Sequence, residues 1–194
     1  MEGVNGATER WPRSRSLIRQ AGALELSLCL LFNRGAYRPR VQRFFAVVSR
    51  LGDGLFWYAL MGLLVVADGW AGLHAALHMA IIGGAGLLIY KGLKRAITRE
   101  RPFVTHATIR LGAAPLDRCS FPSGHTLHAV GFSLVAVSYY PPLAWLLFPF
   151  ALLVATSRLV LGLHYPSDVV MGAAIGAALA LVSFPLLAPL GVAG

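Results

Sequence analysis

The chain has 194 residues, about one domain's worth. It is 57% hydrophobic and only 13% charged, with a mean hydropathy of +0.66. A soluble domain averages about 45–50% apolar and about 25% charged residues, so the surplus apolar surface needs lipid to cover it. The net charge of +9 raises the question of a nucleic-acid partner. The placement of the charge excludes one. Nine of the 17 Lys and Arg precede residue 51, seven lie between Lys91 and Arg118, and the last is Arg158. Basic residues confined to a few connections between apolar runs signal membrane topology or anion binding, not a DNA-binding face. The two cysteines, Cys29 and Cys119, permit one disulfide and nothing demands it. No zinc-like Cys/His spacing occurs, and no metal or other cofactor is expected.

Residues 1 to 16 are polar and Arg-rich and read as a tail. The run from Leu24 to Phe32 is apolar but short, carries Glu25, and is flanked by Arg19 and Arg34. A bilayer core needs about 20 apolar residues, so this segment is expected to lie in the interface as an amphipathic helix. Residues 34 to 50 mix basic positions with Val41, Phe44, Phe45 and Val48, and read as a second surface helix or half of a re-entrant hairpin. Five longer apolar runs follow: Leu55 to Asp68, Ala71 to Tyr90, Thr126 to Tyr140, Pro142 to Leu161 and Val169 to Leu190. Gly69-Trp70 reads as a tight turn, and Tyr139-Tyr140-Pro141-Pro142 as a proline-stopped turn in an aromatic belt. The connection from Lys91 to Phe121 is long, polar and basic, the kind of loop that carries function. The expected fold is an all-α polytopic bundle of five full spans plus an N-terminal interfacial helix; a sixth span results if residues 22 to 32 cross. The expected organisation is a basic N-terminal region, 1–50, and a membrane-embedded domain, 51–194.

Three polar clusters interrupt the apolar pattern. The first is Lys94, six residues, then Arg101-Pro102. The second is Pro122-Ser123-Gly124-His125. The third is Ser157-Arg158, five residues, His164, three residues, then Asp168. The first two bracket the long loop and the third joins the fourth and fifth runs. Two spans separate these connections, so all three clusters emerge on one membrane face. Lys94, Arg101 and Arg158 supply cations, two of them guanidinium forks suited to phosphate oxygens. Ser123 is a good N-cap, Gly124 lets a ligand approach the backbone, and the helix start behind them is an anion site. Of His125 and His164, one can attack phosphorus while the other protonates the leaving oxygen. Pro166 fits a first helical turn, which puts Asp168 where it can reach back to the His164 ring and fix its tautomer. The set offers positioning and charge stabilisation for phosphoryl transfer without a metal.

Together the clusters resemble the signature of the type 2 phosphatidic acid phosphatase superfamily. All eleven fixed positions match: Lys94, Arg101, Pro102, Pro122, Ser123, Gly124, His125, Ser157, Arg158, His164 and Asp168. The resemblance covers about residues 51 to 190. It implies a helical bundle in which His164 forms a phosphohistidine, His125 is the general acid and Asp168 orients His164. By the same carry-over Lys94, Arg101, Ser123, Gly124 and Arg158 hold the phosphate. The family commonly has six membrane helices, and the short first helix is the departure.

The expected substrate is a lipid phosphate or diphosphate: undecaprenyl diphosphate, phosphatidic acid or phosphatidylglycerophosphate. A lipid phosphotransferase would share the first half-reaction, and a transporter would need polar residues lining several spans. His74 and His78 are read as interfacial or packing residues, and His128 as packing or a neighbour of the site. Trp57, Tyr58, Trp70 and Trp145 fit interfacial anchoring, Arg95 and Arg99 lipid headgroups, and the glycines at 83–86 and 172–176 close helix packing. With five spans the site shares the N-terminal side with all 17 Lys and Arg, which points to the cytoplasmic face of the plasma membrane.

Overall fold

The computed structural model describes residues 10–187. The first nine residues of the expected tail and the end of the last apolar run lie outside that range. The described residues form helices joined by turns and one long loop, with no strand among them. In order they form α1 (Arg10–Asn33), a 3₁₀ turn (Arg34–Tyr37), α2 (Pro39–Arg50) and a π turn (Leu51–Leu55). There follow α3 (Phe56–Ala96), α4 (Pro102–Thr105), α5 (Gly124–Tyr139), α6 (Ala144–Val160) and α7 (Pro166–Leu187). Helix α1 begins at Arg10, so the tail reading fails for residues 10–16. Helix α3 runs on to Ala96, so Lys94 stands on a helix and not in the loop.

Helix α3 is a hairpin. Asp68 and Gly69 leave helical geometry, with Gly69 at φ 50°, ψ −114°. A Cβ added to Gly72 would fall 1.9 Å from the carbonyl oxygen of Leu64. Eight residues of unbroken helix span about 12 Å, so the chain has turned back at the predicted tight turn. Glycine fits Gly69 because its positive φ disfavours any residue with a Cβ.

Helix α5 is the axle. It is only 16 residues long, and α7, α3 and α6 cover it. Association of apolar helices in lipid depends on close packing more than on exclusion of water, and the α5–α7 contact shows it. A Cβ on Gly172 would lie 2.4 Å from the Ser123 carbonyl oxygen, and one on Gly176 2.2 Å from that of Leu127. The core holds Trp57, Leu60, Leu64, Met79, Ile82, Phe132, Val135, Leu147 and Val154. Large apolar side chains also face outward, among them Leu63, Val66, Leu88, Trp145, Leu152, Leu181 and Val182. Three segments are long and apolar enough to cross a bilayer: Pro39–Ala96, which contains the hairpin, Pro141–Val160 and Pro166–Leu187. The chain is an all-α membrane bundle.

Trp57 corrects the anchoring reading. It is 1% exposed and packs its ring against Phe56, Phe132 and Phe150, whereas Tyr58, Trp70 and Trp145 are exposed. The last part of α1, from Glu25 to Asn33, meets one end of the bundle. Glu25 meets Ser167 at the start of α7, and Asn33 donates to the carbonyls of Arg110 (2.9 Å) and Val160 (3.0 Å) at the end of α6.

Candidate active site

Three connections converge at that end. The α3–α5 loop begins with Arg101 extended before α4, where Pro102 supplies the fixed φ of a first helical turn. At the loop's other end Ser123 caps α5: its Oγ accepts from the Thr126 amide at 3.5 Å and pairs with the Thr126 hydroxyl at 2.9 Å. The α6–α7 connection carries His164, and Pro166 opens α7 so that Asp168 lies in its first turn.

The structure brings the predicted cations around His164, which is 2% exposed. Arg101, equally buried, donates from Nη1 to the Leu163 carbonyl (2.8 Å) and faces His164 Nε2 at 3.4 Å. Lys94 and Arg101 are joined by a residue the sequence does not flag. Asp117 receives Lys94 Nζ at 2.5 Å and Arg101 Nη2 at 2.9 Å, and its backbone carbonyl takes Arg101 Nε at 2.9 Å. Burial pushes the Asp117 carboxyl up, but the Lys94 and Arg101 bonds outweigh it and leave the group below the usual carboxylate range. Arg158 is 3% exposed and donates from Nη1 to Ser49 Oγ at 2.5 Å. Its Nε has no hydrogen-bond partner among the described residues.

His164 Nδ1 also lacks a hydrogen-bond partner among the described residues. Asp168 Oδ2 is the carboxylate oxygen facing it, at 3.8 Å, longer than a hydrogen bond. The short contacts of Asp168 go elsewhere: Oδ2 accepts from the Tyr165 amide at 2.8 Å, and Oδ1 from Arg99 Nη1 at 2.7 Å. Arg99, expected at lipid headgroups, instead spans Asp168, Ser167 and Glu25 and lies 3.9 Å above the Tyr165 ring. Arg95 is exposed. Burial first, and then the charges of Arg158, Arg101 and Lys94, hold the His164 imidazole well below its ordinary pKa. At neutral pH the ring is therefore uncharged.

His125 follows the cap of α5 and faces Asp53 Oδ1 from Nε2 at 3.4 Å. Asp53 stands in the π turn, beside Gly54 at φ 122°. Two cavities meet at this pair. One, of about 530 Å³, has Arg43, Arg50, Ser49, Asp53, His125 and Arg158 in its wall. The other, of about 380 Å³, runs from Asp53, His125 and Tyr90 between the two halves of α3, past Trp57, Met61, Ala80, Gly84, Leu87 and Phe132. Gly124, at the mouth, has the Tyr90 ring as its neighbour.

The remaining histidines separate. His128 faces two backbone carbonyls, Gly124 at 2.9 Å and Gly83 at 3.1 Å. His78 is buried between Tyr139 and Ser183, and His74 bonds the Trp70 carbonyl. The cysteines are unbridged. Among the described residues no group of three His, Cys, Asp or Glu is placed to hold a metal ion. Sequence reasoning misses Glu25, Ser49, Asp53, Arg99 and Asp117 as parts of this site. None belongs to a spaced cluster, and each arrives through folding.

Residues 72–190 match the profile of the PAP2 superfamily. The chain is 37% identical over 118 residues to decaprenylphosphoryl-5-phosphoribose phosphatase of Mycolicibacterium smegmatis, covering 54% of this chain and 62% of that protein. It is 38% identical over 93 residues to undecaprenyl-diphosphatase BcrC of Bacillus subtilis, covering 48% of each. The aligned part thus spans about half to three-fifths of these relatives. The crystal structure of LpxE from Aquifex aeolicus superposes with a TM-score of 0.71 at 28% identity, covering 84% of this chain and 95% of that one. The chain belongs to the PAP2 superfamily.

Proposed function

We propose that the protein is a membrane phosphatase that removes phosphate from a lipid phosphate or diphosphate through a phosphohistidine at His164. The observation that carries this reading is the meeting of a cationic pocket and an apolar groove at His125. Arg158 is a buried guanidinium with no carboxylate within 4 Å among the described residues. An unpaired buried charge is costly, and a phosphoryl group is the anion that suits its fork. The groove beside it enters the bundle between apolar side chains, as a lipid chain requires.

His164 Nε2 attacks phosphorus while the P–O bond to the lipid breaks. Burial and Arg158 hold the His125 pKa down, and the bound phosphate anion offsets the cations so that His125 delivers a proton to the departing oxygen. The neutral His125 then takes a proton from water, whose oxygen displaces His164 and releases inorganic phosphate. Asp168 faces the ring nitrogen that gains positive character as the P–N bond forms. Lys94, Arg101, Arg158 and the amides behind Ser123 and Gly124 neutralise the equatorial oxygens. The carboxylates nearest His164 are each matched to a cation: Asp117 to Lys94 and Arg101, and Asp168 to Arg99. The chemistry therefore proceeds without a metal, so a chelator leaves activity intact and vanadate inhibits. Loss in a chelator with recovery in magnesium contradicts this.

Relatives named for decaprenylphosphoryl-5-phosphoribose and for undecaprenyl diphosphate favour an isoprenoid-linked substrate. The test is phosphate release by purified protein from undecaprenyl diphosphate, phosphatidic acid and phosphatidylglycerophosphate. The isoprenoid is expected to turn over fastest, and Ala80→Trp, which fills the groove, is expected to raise KM for it. Failure to release phosphate from any of the three overturns the reading.

The site works on the cytoplasmic face of the plasma membrane. Glu25 and Asn33 of α1 meet the catalytic end, the apolar run between them is too short to span, and the basic residues that flank it favour the cytoplasm. Glu25, costly in lipid, finds Arg99 there. With Cys119→Ser as background, His106→Cys is expected to resist an impermeant thiol reagent in intact cells. Ready labelling overturns this topology.

A further inference from the structure

Asp168 is fully buried and closes its charge against Arg99, and Arg99 is itself closed by α1. Its three acceptors lie at 2.7 Å: Asp168 Oδ1, Ser167 Oγ and Glu25 Oε2. Glu25 also accepts from the Ser167 amide at 3.2 Å and from the Ser167 hydroxyl. That places a carboxylate at the start of α7, where helix amides favour negative charge. The Tyr165 ring under the guanidinium fixes its plane. Both ends of the Arg99 fork are thus specified, one by the site and one by a helix that lies outside the family signature.

We propose that Glu25 and Arg99 are positioning residues for the nucleophile: α1 supplies the carboxylate that orients Arg99, and Arg99 holds the Asp168 carboxylate toward His164. The inference rests on His164 being the nucleophile. Its physical content is a charge count. Glu25, Arg99 and Asp168 together carry one net negative charge. The other groups facing His164 are Lys94 on α3, Arg101 before α4, His125 on α5 and Arg158 on α6. The trio is the negative element that supports the ring as it becomes cationic on attack. Glu25→Gln leaves Arg99 to neutralise Asp168 alone and withdraws that support. Arg99→Gln removes a positive charge and also frees Asp168 to rotate.

The experiment measures kcat, KM and the pH profile of kcat/KM for Glu25→Gln, Arg99→Gln, Arg99→Lys and the double Gln variant, on the lipid phosphate that the wild type hydrolyses. The acid limb of that profile reports the free enzyme's base. Glu25→Gln is expected to lower kcat about threefold to tenfold with KM within about twofold, and to move the acid limb to lower pH. Arg99→Gln moves the limb to higher pH and lowers kcat further, and Arg99→Lys restores part of it. In the Arg99→Gln background Glu25→Gln costs less than about twofold, because it acts through Arg99. A role in docking α1 alone would change thermal stability and leave the profile fixed. An unshifted acid limb in Glu25→Gln overturns the proposal, whether or not stability falls, and so does a shift upward. That outcome does not depend on Arg99→Gln, which is open to misfolding. Turnover by His164→Ala is a separate failure, of the nucleophile assignment itself, and takes the proposal with it.

Discussion

Two histidines in this bundle are equally buried, at 2% exposure, and differ in everything around them. His78 sits between α3, α5 and α7 with Nδ1 at 3.0 Å from the Tyr139 hydroxyl and Nε2 at 2.7 Å from Ser183 Oγ. Both ring nitrogens are used, and no charged group is bonded to them. His164 sits among three cations, with Nδ1 lacking a hydrogen bond among the described residues and Nε2 facing Arg101 at a long 3.4 Å. A buried polar group whose valences are closed holds structure together. One whose valences are open, among like charges, is held ready for a partner. Burial alone does not tell the two apart.

The comparison breaks most visibly on substitution. His164→Ala is expected to lower kcat by about 10³-fold or more while the protein stays folded, since the covalent route is gone. His78→Ala is expected to leave kcat within about twofold. Comparable loss in both variants, measured as phosphate release from detergent-purified protein, would erase the distinction. Arg158→Ala comes next, at about 10²-fold in kcat/KM, because among the described residues it removes the buried cation whose donor lacks a partner. On stability the order reverses: His78→Ala removes the buried bond to Ser183 Oγ, which keeps its bond to the Ala180 carbonyl, and leaves the Tyr139 hydroxyl without its ring partner, at about 1 kcal/mol, read as a lower unfolding temperature.

The three clusters are legible in the sequence because the proposed phosphoryl transfer restricts which residues appear and helix ends restrict their spacing. Their common face follows from counting apolar runs, and Ser123 at the cap and Pro166 in the first turn lie where local rules put them. The partners of the clusters are not legible. Asp117 carries no mark in the loop sequence; it matters because the loop folds back over Lys94 and Arg101. Glu25 reads along the chain as a lipid liability, and its salt bridge spans 74 residues. Asp53 depends on a π turn that no periodicity announces. Trp57 is misplaced by its sequence context because an apolar helix does not show which face meets lipid and which meets protein. The reach of Asp168 to His164 is longer than helix spacing suggests, since Arg99 and the Tyr165 amide take the carboxylate's close bonds.

The smallest expected effect sharpens the electrostatic half of the comparison. With its pKa held down by burial and by Arg158, Arg101 and Lys94, His164 stays neutral until the medium is well below the ordinary imidazole range. The acid limb of kcat/KM is therefore expected below about pH 6.5, the unperturbed value. In the proposed mechanism its basic form attacks, so activity is expected to fall as pH drops through that limb. A limb at or above this value means that the cations do not act on the ring as their positions imply.

The most direct test of the central claim is to trap the intermediate. Lipid substrate labelled in the scissile phosphate, mixed with enzyme and quenched in alkali, should leave label on the protein that is stable to base, lost in acid and mapped to His164. His125→Ala should still accept label from an activated ester, and His164→Ala should accept none. Label on another residue, or turnover without label in His164→Ala, would contradict the account.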